Sequence, residues 1–278
     1  MNNITFVIFT YNEEKRIEYV VKNFINFGEV LIMDDGSTDK TKEIAERFGA
    51  RFFLRPKTGK AYVESPEVFD FVKKTASNNW IYWGHADQMM PKTLLDRLVK
   101  ISNQEKIKYV FLPFYTYLWG DTRRAMLKGS YPIFFRKEYV DFSDDKIHGL
   151  GRFIGKDDEI LRLPNKLELA IRHYSLYDLN KFILGHLNYA KAEAQQKYDS
   201  GIKFSSAVLL GAMLRYYLMY YKRAFRGGVK GIMVSLLNAF FRLMVYARLY
   251  ELENQITLES IEENYIKEKN KIIQELND

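Results

Sequence analysis

Residues 80–91 read W-I-Y-W-G-H-A-D-Q-M-M-P, and this stretch decides the fold. An apolar run stops at Gly84, a short polar turn follows, and Pro91 begins a predicted helix, because proline suits the first helical turn. The pattern is typical of a buried strand that delivers Asp87 to its C-terminal end. In open α/β sheets, ligands bind at that edge. One aspartate is weak support for a site, so the flanking segments decide the interpretation.

Strand and helix patterns alternate on both sides of this stretch. Apolar runs at residues 4–10, 30–33 and 51–54 predict strands, and the segments between them carry apolar residues at helical spacing. Crossovers of this kind join parallel strands with a right-handed connection. Residues 108–114 predict a further strand, and residues 115–136 have an irregular pattern. We therefore expect an α/β fold with a mostly parallel sheet flanked by helices.

The pattern changes after residue 176, which predicts two domains, 1–176 and a helical extension at 177–278. Residues 202–250 contain no acidic residue among long apolar runs. Their basic residues are Lys203, Arg215, Lys222, Arg223, Arg226, Lys230, Arg242 and Arg248. No apolar run reaches the about 20 residues of a membrane span. A basic, aromatic helix pair suits an anionic membrane surface, although such helices could instead pack on the sheet or on a second subunit.

Composition narrows the classes of protein. Hydrophobic content of 47% suffices for a large core, and the aromatic content of 15% suits sugar-binding, membrane-surface or nucleic-acid proteins. The absence of cysteine excludes disulfides and thiolate metal sites and agrees with a reducing compartment. No signal peptide precedes the first strand, so we expect a cytoplasmic protein. The net charge of +7 favours anionic partners.

Two polar motifs follow the first two predicted strands. T-Y-N-E-E at residues 10–14 and D-D-G-S-T-D at residues 34–39 would lie at neighbouring strand ends. Carboxylates there can accept hydrogen bonds from a base and a ribose, and helix N-termini favour phosphate. The aspartates could equally form turns and helix caps. With Asp87 as a third polar strand end, the pattern predicts a nucleotide-binding crevice, in which carboxylate-bound Mg²⁺ or Mn²⁺ would neutralise a diphosphate.

The first 100 residues resemble family-2 glycosyltransferases, which have the Rossmann-like GT-A fold. The matching segments are V-I-F-T-Y-N-E-E at residues 7–14, I-M-D-D-G-S-T-D-K-T at residues 32–41, and W-I followed by A-D within residues 80–87. More loosely, the later part resembles the lipopolysaccharide-core glucosyltransferase branch of that family. The segments concerned are H-Y-S at residues 173–175, the basic segment 217–226, R-G-G at residues 226–228 and Y-A-R-L-Y at residues 246–250.

The resemblance implies a nucleotide diphosphate sugar donor and transfer with inversion at the anomeric carbon. Together with the basic helical extension, which we expect to dock on the inner face of the cell membrane, it predicts a lipid-linked or lipopolysaccharide-type glycan as acceptor. Carried over by position, Thr10, Tyr11 and Glu13 would line the nucleoside pocket, and Asp35 would bind the base. Asp87 would be the metal-binding carboxylate of the family's D-x-D motif.

The sequence departs from the D-x-D motif because His85 replaces the first aspartate. A neutral imidazole can donate to a ribose or pyrophosphate oxygen, or ligate a metal such as Mn²⁺. His85 could also be a strand-end histidine with a structural hydrogen bond. It is therefore a candidate both for donor binding and, with Asp87, for metal binding.

The general base is the least certain part of the predicted site. An inverting transfer needs a carboxylate or histidine that removes the proton of the acceptor hydroxyl. The resembled branch usually has a His-Glu pair after the sheet, and here K-I-H-G at residues 146–149 keeps the histidine without the glutamate. His148 is the first candidate, with Asp144 and Asp145 as neighbouring acids. His148 could equally be an ordinary loop histidine.

Two other classes of protein stay open. A nucleotide-sugar-binding protein that has lost catalysis would explain why two motifs are incomplete, and turnover would exclude it. A basic nucleic-acid-binding module would explain the charge, but the basic residues lie among apolar runs and no recognised motif is present, so we do not expect nucleic acid as a partner. A homo-oligomer is a further alternative for the helical extension.

Overall fold

The computed structural model describes residues 3–59, 62–143 and 149–276. The chain forms two compact units, Met1–Leu179 and Asn180–Asp278. The first is an α/β unit and the second consists of helices.

The α/β unit is built on a sheet of nine strands and on a smaller sheet of two. Along the chain the strands are β1 (Ile4–Thr10), β2 (Glu29–Asp34), β3 (Arg51–Leu54), β4 (Trp80–His85), β5 (Gln88–Met89), β6 (Tyr109–Leu118), β7 (Leu127–Arg136), β8 (Val140–Asp141), β9 (Arg152–Phe153), β10 (Ile160–Arg162) and β11 (Ile171–Ser175). The large sheet has the order β3-β2-β1-β4-β7-β6-β11-β5, with β10 beside β6, and β8 pairs with β9. The helices are α1 (Ile17–Phe24), α2 (Thr41–Arg47), α3 (Pro66–Thr75) and α4 (Lys92–Ser102).

The centre of the large sheet is parallel and fully buried. Strand β1 pairs in parallel with β2 and with β4, and all of its residues are buried. On one face Phe6 stacks on Phe24 of α1, with ring centroids 4.6 Å apart. Helix α1 buries Ile17, Val20, Val21 and Phe24, which recur at helical spacing. Burial of each such side chain contributes about 1.5–3 kcal/mol. The parallel β-α-β-α-β arrangement expected from the sequence is confirmed.

Strand β7 corrects the expectation of irregular structure at residues 115–136. It pairs antiparallel with β6 and with β4, so it inserts between two strands that precede it in the chain. Only its end, at Ile133, Phe134 and Phe135, is buried. The rest is half-buried or exposed and contains a glycine and a proline, so no apolar run marks the strand. Apart from β7 and the short β5, the large sheet pairs in parallel, and the predicted fold class is confirmed.

The helical unit contains α5 (Leu179–Asp199), α6 (Ser206–Ala224), α7 (Val229–Glu253) and α8 (Leu258–Glu275). A turn through Gly228, with φ of 60°, joins α6 to α7. Gly231 allows the start of α7 to lie against the end of α6, because a Cβ there would lie 2.1 Å from the carbonyl oxygen of Ala224. The guanidinium of Arg242 on α7 donates to both carboxylate oxygens of Glu193 on α5, at 2.8 and 2.6 Å. An ion pair between the buried Arg242 and the half-buried Glu193 therefore joins two of these helices.

Helix α7 is long and apolar enough to span a membrane by length and composition alone. Half of its most apolar window is buried inside the protein, as in the core helix of a soluble domain. The charged Arg242 within it is buried and paired. These features agree with a core helix.

Candidate functional site

The C-terminal ends of β1, β2 and β4 lie side by side. Thr10 is in register with Asp34, and Phe9 is in register with His85. Because the three strands are parallel, the polar residues that follow them share one edge of the sheet. This edge is where the sequence predicted a ligand-binding crevice.

Backbone and side-chain hydrogen bonds join the two loops after β1 and β2. The Asn12 N–H donates to the Ser37 hydroxyl at 2.7 Å, and the Thr38 N–H donates to the Asn12 side-chain oxygen at 2.9 Å. The Glu13 N–H donates to the Thr41 hydroxyl at 2.8 Å. Asn12 takes a positive φ of 54°, a conformation that asparagine tolerates better than most residues. The two motifs therefore form one ordered unit.

Asp34 is a structural residue of this unit. Its carboxylate is buried and accepts hydrogen bonds from the Thr10 hydroxyl at 2.8 Å and from the backbone N–H groups of Gly36 and Ser37 at 2.9 and 2.6 Å. Gly36 has a φ of 91°, which strongly favours glycine. The turn-forming alternative therefore holds for Asp34, and Thr10 supports the turn.

Asp35, by contrast, presents its carboxylate to solvent. Its side chain is 52% exposed, whereas that of its partner Arg55 is 7% exposed. Both Nη2 and Nε of Arg55 donate to Asp35 Oδ1, at 2.6 and 3.1 Å, and Arg55 Nη1 donates to the Tyr62 carbonyl at 3.2 Å. A buried guanidinium therefore fixes an exposed carboxylate at this edge of the sheet.

Asp87 lies beside His173, a residue that the sequence did not single out for the site. The short strand β5 pairs with β11, and the Tyr174 N–H donates to the Asp87 carbonyl at 2.9 Å. The contact joins His173 Nε2 to Asp87 Oδ2 at 3.1 Å, and His173 Nδ1 lies 3.1 Å from the Thr116 hydroxyl. Strand β11 therefore supplies an imidazole to the carboxylate that follows β4.

The Asp87 carboxyl group has one oxygen without a hydrogen-bond partner. Its Oδ1 atom is buried and unpaired. Burial opposes ionisation of this carboxyl, but the neighbouring His173 and His85 outweigh that effect and hold its pKa below the ordinary value. Burial lowers the pKa of His85, with Asp87 partly offsetting the effect, so His85 is neutral at neutral pH. An ionised carboxylate with a free buried oxygen, beside a neutral imidazole, suits a cation.

The donor set fits a divalent metal only in part. Within the described ranges 3–59, 62–143 and 149–276, no three His, Asp or Glu side chains converge closely enough to hold a metal ion. A carboxylate and an imidazole nevertheless suit Mn²⁺, and Mg²⁺ in enzymes commonly takes one or two carboxylates and completes its shell with phosphate and water. The protein would therefore supply a minority of the ligands.

The sequence also did not indicate a further cluster, which includes Glu13 after β1. Arg16 pairs with Glu13 of the T-Y-N-E-E motif, and its guanidinium lies over the Tyr177 ring, 4.5 Å from the centroid. The Tyr177 side chain is largely exposed. Leu176 before it is buried and has a φ of 59°, an unusual conformation for a residue other than glycine. Strained backbone of this kind is found preferentially at functional sites.

The structure thus places most of the predicted site residues at one sheet edge. Those residues are Thr10, Tyr11, Glu13, Asp35, His85 and Asp87. Tyr11 is half exposed. The candidate bases Asp144, Asp145 and His148 lie outside the described residues. The H-Y-S segment at residues 173–175 was a signal for His173, but nothing in the sequence indicated its contact with Asp87.

Comparison with known proteins identifies the family. The family model "Glycosyl transferase family 2" matches residues 5–155, which is more than half of the chain. An uncharacterized glycosyltransferase of Rickettsia typhi is 26% identical over 96% of this chain and 93% of its own length. Another from Rickettsia bellii is 27% identical over 91% of this chain and 87% of its own.

Solved structures show more distant similarity. Glucosyl-3-phosphoglycerate synthase from Mycobacterium tuberculosis, in complex with Mn²⁺ and UDP-glucose, has a TM-score of 0.44 at 20% identity. The match covers 73% of this chain and 81% of that one. Similarity at this level tells nothing about the substrate of this chain.

The chain belongs to glycosyl transferase family 2. It is a nucleotide-sugar-dependent glycosyltransferase, as the sequence motifs predicted.

Proposed function

We propose that the chain transfers a sugar, with inversion, from a nucleotide diphosphate sugar to a lipid-linked or lipopolysaccharide-type glycan acceptor at the inner face of the cell membrane. The observation that carries this proposal is the position of Asp87. Its buried Oδ1 has no partner, and it lies on the same sheet edge as the exposed carboxylate of Asp35. The Asp35 carboxylate suits the base of a nucleoside diphosphate, and the Asp87 carboxylate would suit its diphosphate through a bound cation.

The donor has a defined direction along the sheet edge. Asp35 follows β2 and would accept a hydrogen bond from the base, with Thr10, Tyr11 and Glu13 around the nucleoside. Asp87 follows β4, one strand beyond β1, and would lie near the diphosphate. The transferred sugar would then extend toward β11, where His173 and the exposed Tyr177 lie.

Arg55 would position the base-binding carboxylate. We expect Arg55→Met to weaken donor binding by about tenfold, because Asp35 would lose both hydrogen bonds that orient it, and a hydrogen bond to a charged group contributes about 1.5–3 kcal/mol. Isothermal titration calorimetry with the cognate nucleoside diphosphate measures the effect. Arg47→Met, which removes the same charge from the exposed face of α2, is the matched control. Equal affinities for the two variants would contradict the assignment.

A divalent cation, Mg²⁺ or Mn²⁺, would be held by Asp87 together with His173 or His85. Bound there, it would neutralise charge that develops on the leaving diphosphate. Asp87 is ionised and His85 neutral near pH 7 for the reasons given above, so both are in the protonation state that a metal requires.

His148 is proposed as the general base, with Asp144 and Asp145 as the alternatives. Removal of the acceptor proton requires one of these groups to come within hydrogen-bond distance of the hydroxyl. His148 is the first candidate because an imidazole titrates close to neutral pH.

The helical unit supports a lipid-linked acceptor. Within residues 202–250 basic residues occur without acidic ones, and α6, α7 and their junction expose many apolar side chains. The most exposed are Val208, Leu210, Leu214, Phe225, Val229 and Leu236. Exposed apolar residues beside cations are the features of a surface that binds anionic lipid. A peripheral membrane location follows from this assignment.

We expect the chain to sediment with phosphatidylglycerol vesicles and not with phosphatidylcholine vesicles. The variant Phe225→Ser/Val229→Ser should bind the anionic vesicles at least about tenfold more weakly, because each buried apolar side chain contributes up to about 1.5–3 kcal/mol. Ile154→Ser/Leu167→Ser removes similarly exposed apolar residues from the α/β unit and should have no effect. Equal binding by both double variants, or binding indifferent to lipid charge, would contradict this surface.

A radiolabel-transfer assay tests the proposed reaction. Donors with a labelled sugar are incubated with membrane lipid extract or with lipid-free glycan, and label is counted in the organic and aqueous phases. Label in the organic phase supports the proposal, and transfer confined to lipid-free glycan contradicts the lipid-linked acceptor. A donor that binds without transfer to either acceptor would favour a binding protein that has lost catalysis.

A further inference from the structure

Helix α8 is exposed along its whole length. None of its residues is buried, and only Ser260 is half-buried. The helix is capped at its N-terminus, where the Thr257 hydroxyl accepts from the Ser260 N–H at 3.2 Å and the Ser260 hydroxyl accepts from the Thr257 N–H at 3.0 Å. In proteins, most of the stability of an amphipathic helix comes from tertiary packing of its apolar face. A regular, capped helix without packing indicates a missing partner.

One side of α8 is an apolar stripe. Its members recur three, four and seven residues apart, so they lie on one face. They are Leu258, Ile261, Tyr265, Ile266, Ile272, Ile273 and Leu276, and all are exposed. An exposed stripe of this extent on a soluble unit marks an interaction surface.

Two charged residues, Glu262 and Lys269, lie within the stripe. The residues three and four positions from Lys269 are Tyr265, Ile266, Ile272 and Ile273. Those around Glu262 are Leu258, Glu259, Tyr265 and Ile266. Charge pairs within a helix form at three or four residues apart, so neither residue has an opposite charge beside it on its own helix. Both charges are therefore available to pair with charges on another chain.

The two charges within the stripe complement each other when two copies run antiparallel. With the two-fold axis between residues 265 and 266, Glu262 of one copy faces Lys269 of the other, and the same pair forms again by symmetry. Leu258 then faces Ile273 and Tyr265 faces Ile266, whereas Ile261 faces Asn270 and Ile272 faces Glu259. In a parallel pair each Glu262 would face another Glu262, which is repulsive. The charge pattern therefore selects the antiparallel arrangement.

We propose that α8 mediates an antiparallel homodimer, in which two Glu262–Lys269 ion pairs fix the register. A membrane suits the stripe less well than a second copy of the chain, because α8 carries five glutamates and only three lysines. The net negative charge of α8 would be repelled by the anionic membrane that the basic helices α6 and α7 are proposed to bind. A two-fold interface of this type is isologous, so the same residues serve both copies. The inference is independent of the donor, metal and acceptor assignments.

A charge reversal tests the register. Sedimentation velocity should give about twice the mass of a single 32.9 kDa chain at high protein concentration. Glu262→Lys should raise the dimer dissociation constant at least about tenfold, because the introduced lysine of each copy would then face Lys269 of the other copy. Glu262→Lys/Lys269→Glu should restore dimerisation. Glu263→Lys changes the same charge on the opposite face and should leave the constant unchanged.

Cross-linking tests the direction. The chain has no cysteine, so introduced thiols react without background. Leu258→Cys/Ile273→Cys should give a covalent dimer with a short thiol cross-linker, whereas Leu258→Cys alone should not. Within one helix these positions are about 22 Å apart, so the product must be intermolecular. A monomer at all concentrations, a failure of the charge swap to restore the dimer, or cross-linking by Leu258→Cys alone would overturn the proposal.

Discussion

Replacing Asp87 with asparagine is expected to abolish cation-dependent donor binding and to lower turnover by about a thousandfold. The substitution keeps the size of the side chain and an oxygen that can face His173, but it removes the negative charge. Charge stabilisation by a metal contributes several kcal/mol to such a transfer, and tenfold in rate corresponds to about 1.4 kcal/mol. Calorimetry with Mn²⁺ and initial rates of nucleoside diphosphate release measure the two effects.

A matched control separates this role from a general effect of lost charge. Asp96 on α4 forms an exposed ion pair with Lys92 at 2.6 Å, so Asp96→Asn removes the same charge away from the crevice. Its activity should equal that of the unmodified chain. A threefold change in rate corresponds to less than about 1 kcal/mol. If the metal-dependent turnover of Asp87→Asn stayed within about threefold of that control, Asp87 would not be the metal-binding residue.

The second large effect concerns the stability of the helical unit. Glu193→Leu should lower its free energy of unfolding by about 3 kcal/mol, because it leaves the Arg242 guanidinium buried without its carboxylate. Arg242 Nε already has no hydrogen-bond partner. Urea unfolding followed by far-UV circular dichroism reports on the helices. All three tryptophans, at residues 80, 83 and 119, lie in the α/β unit, so their fluorescence transition reports on that unit.

The double variant Glu193→Leu/Arg242→Met should recover much of the loss, since apolar residues often replace a buried ion pair without cost. Glu251→Leu removes an exposed partner of Arg248 and should change stability by less than about 1 kcal/mol. If Glu193→Leu behaved like Glu251→Leu, the buried pair would contribute nothing to the fold.

The same ion pair predicts a loss of stability in acid. Burial opposes ionisation of Glu193, but Arg242 and Lys197 outweigh it and lower its pKa below the ordinary 4.5. A carboxyl group with a lowered pKa contributes stability that is complete above 4.5 and is lost as the pH falls through its folded-state pKa. The urea concentration at the unfolding midpoint of the helices should therefore decrease as the pH is lowered below about 4.5. The decline should be smaller in the double variant.

The sequence predicted the parallel half of the sheet because buried parallel strands are continuous apolar runs. Strands β1 and β4 and their helices carry that signal along their whole length. Strand β7 lacks it, because most of its residues contact solvent or lie at half depth. Its position between β4 and β6 depends on pairing between distant segments, which local periodicity does not contain.

The sequence predicted which types of residue form the site more accurately than it predicted which individual residues do so. Asp34 and Asp35 are adjacent and chemically identical, yet one is buried in the turn and the other is exposed to the crevice. The alternation of side chains at a strand end decides between them. His173 is 86 residues from Asp87 in the chain. Only the pairing of β5 with β11 brings the two together, and that pairing follows from the fold rather than from a motif.

The central claim is that the edge formed by β1, β2 and β4 binds a nucleotide diphosphate sugar with a divalent cation at Asp87. Titration calorimetry with uridine, guanosine, cytidine and thymidine diphosphate sugars, each with and without Mn²⁺ or Mg²⁺, tests it most directly. We predict that donors of one nucleotide bind, that the cation strengthens the binding, and that Asp87→Asn abolishes the cation effect. Failure of all four nucleotide classes to bind, with either cation, would contradict the claim.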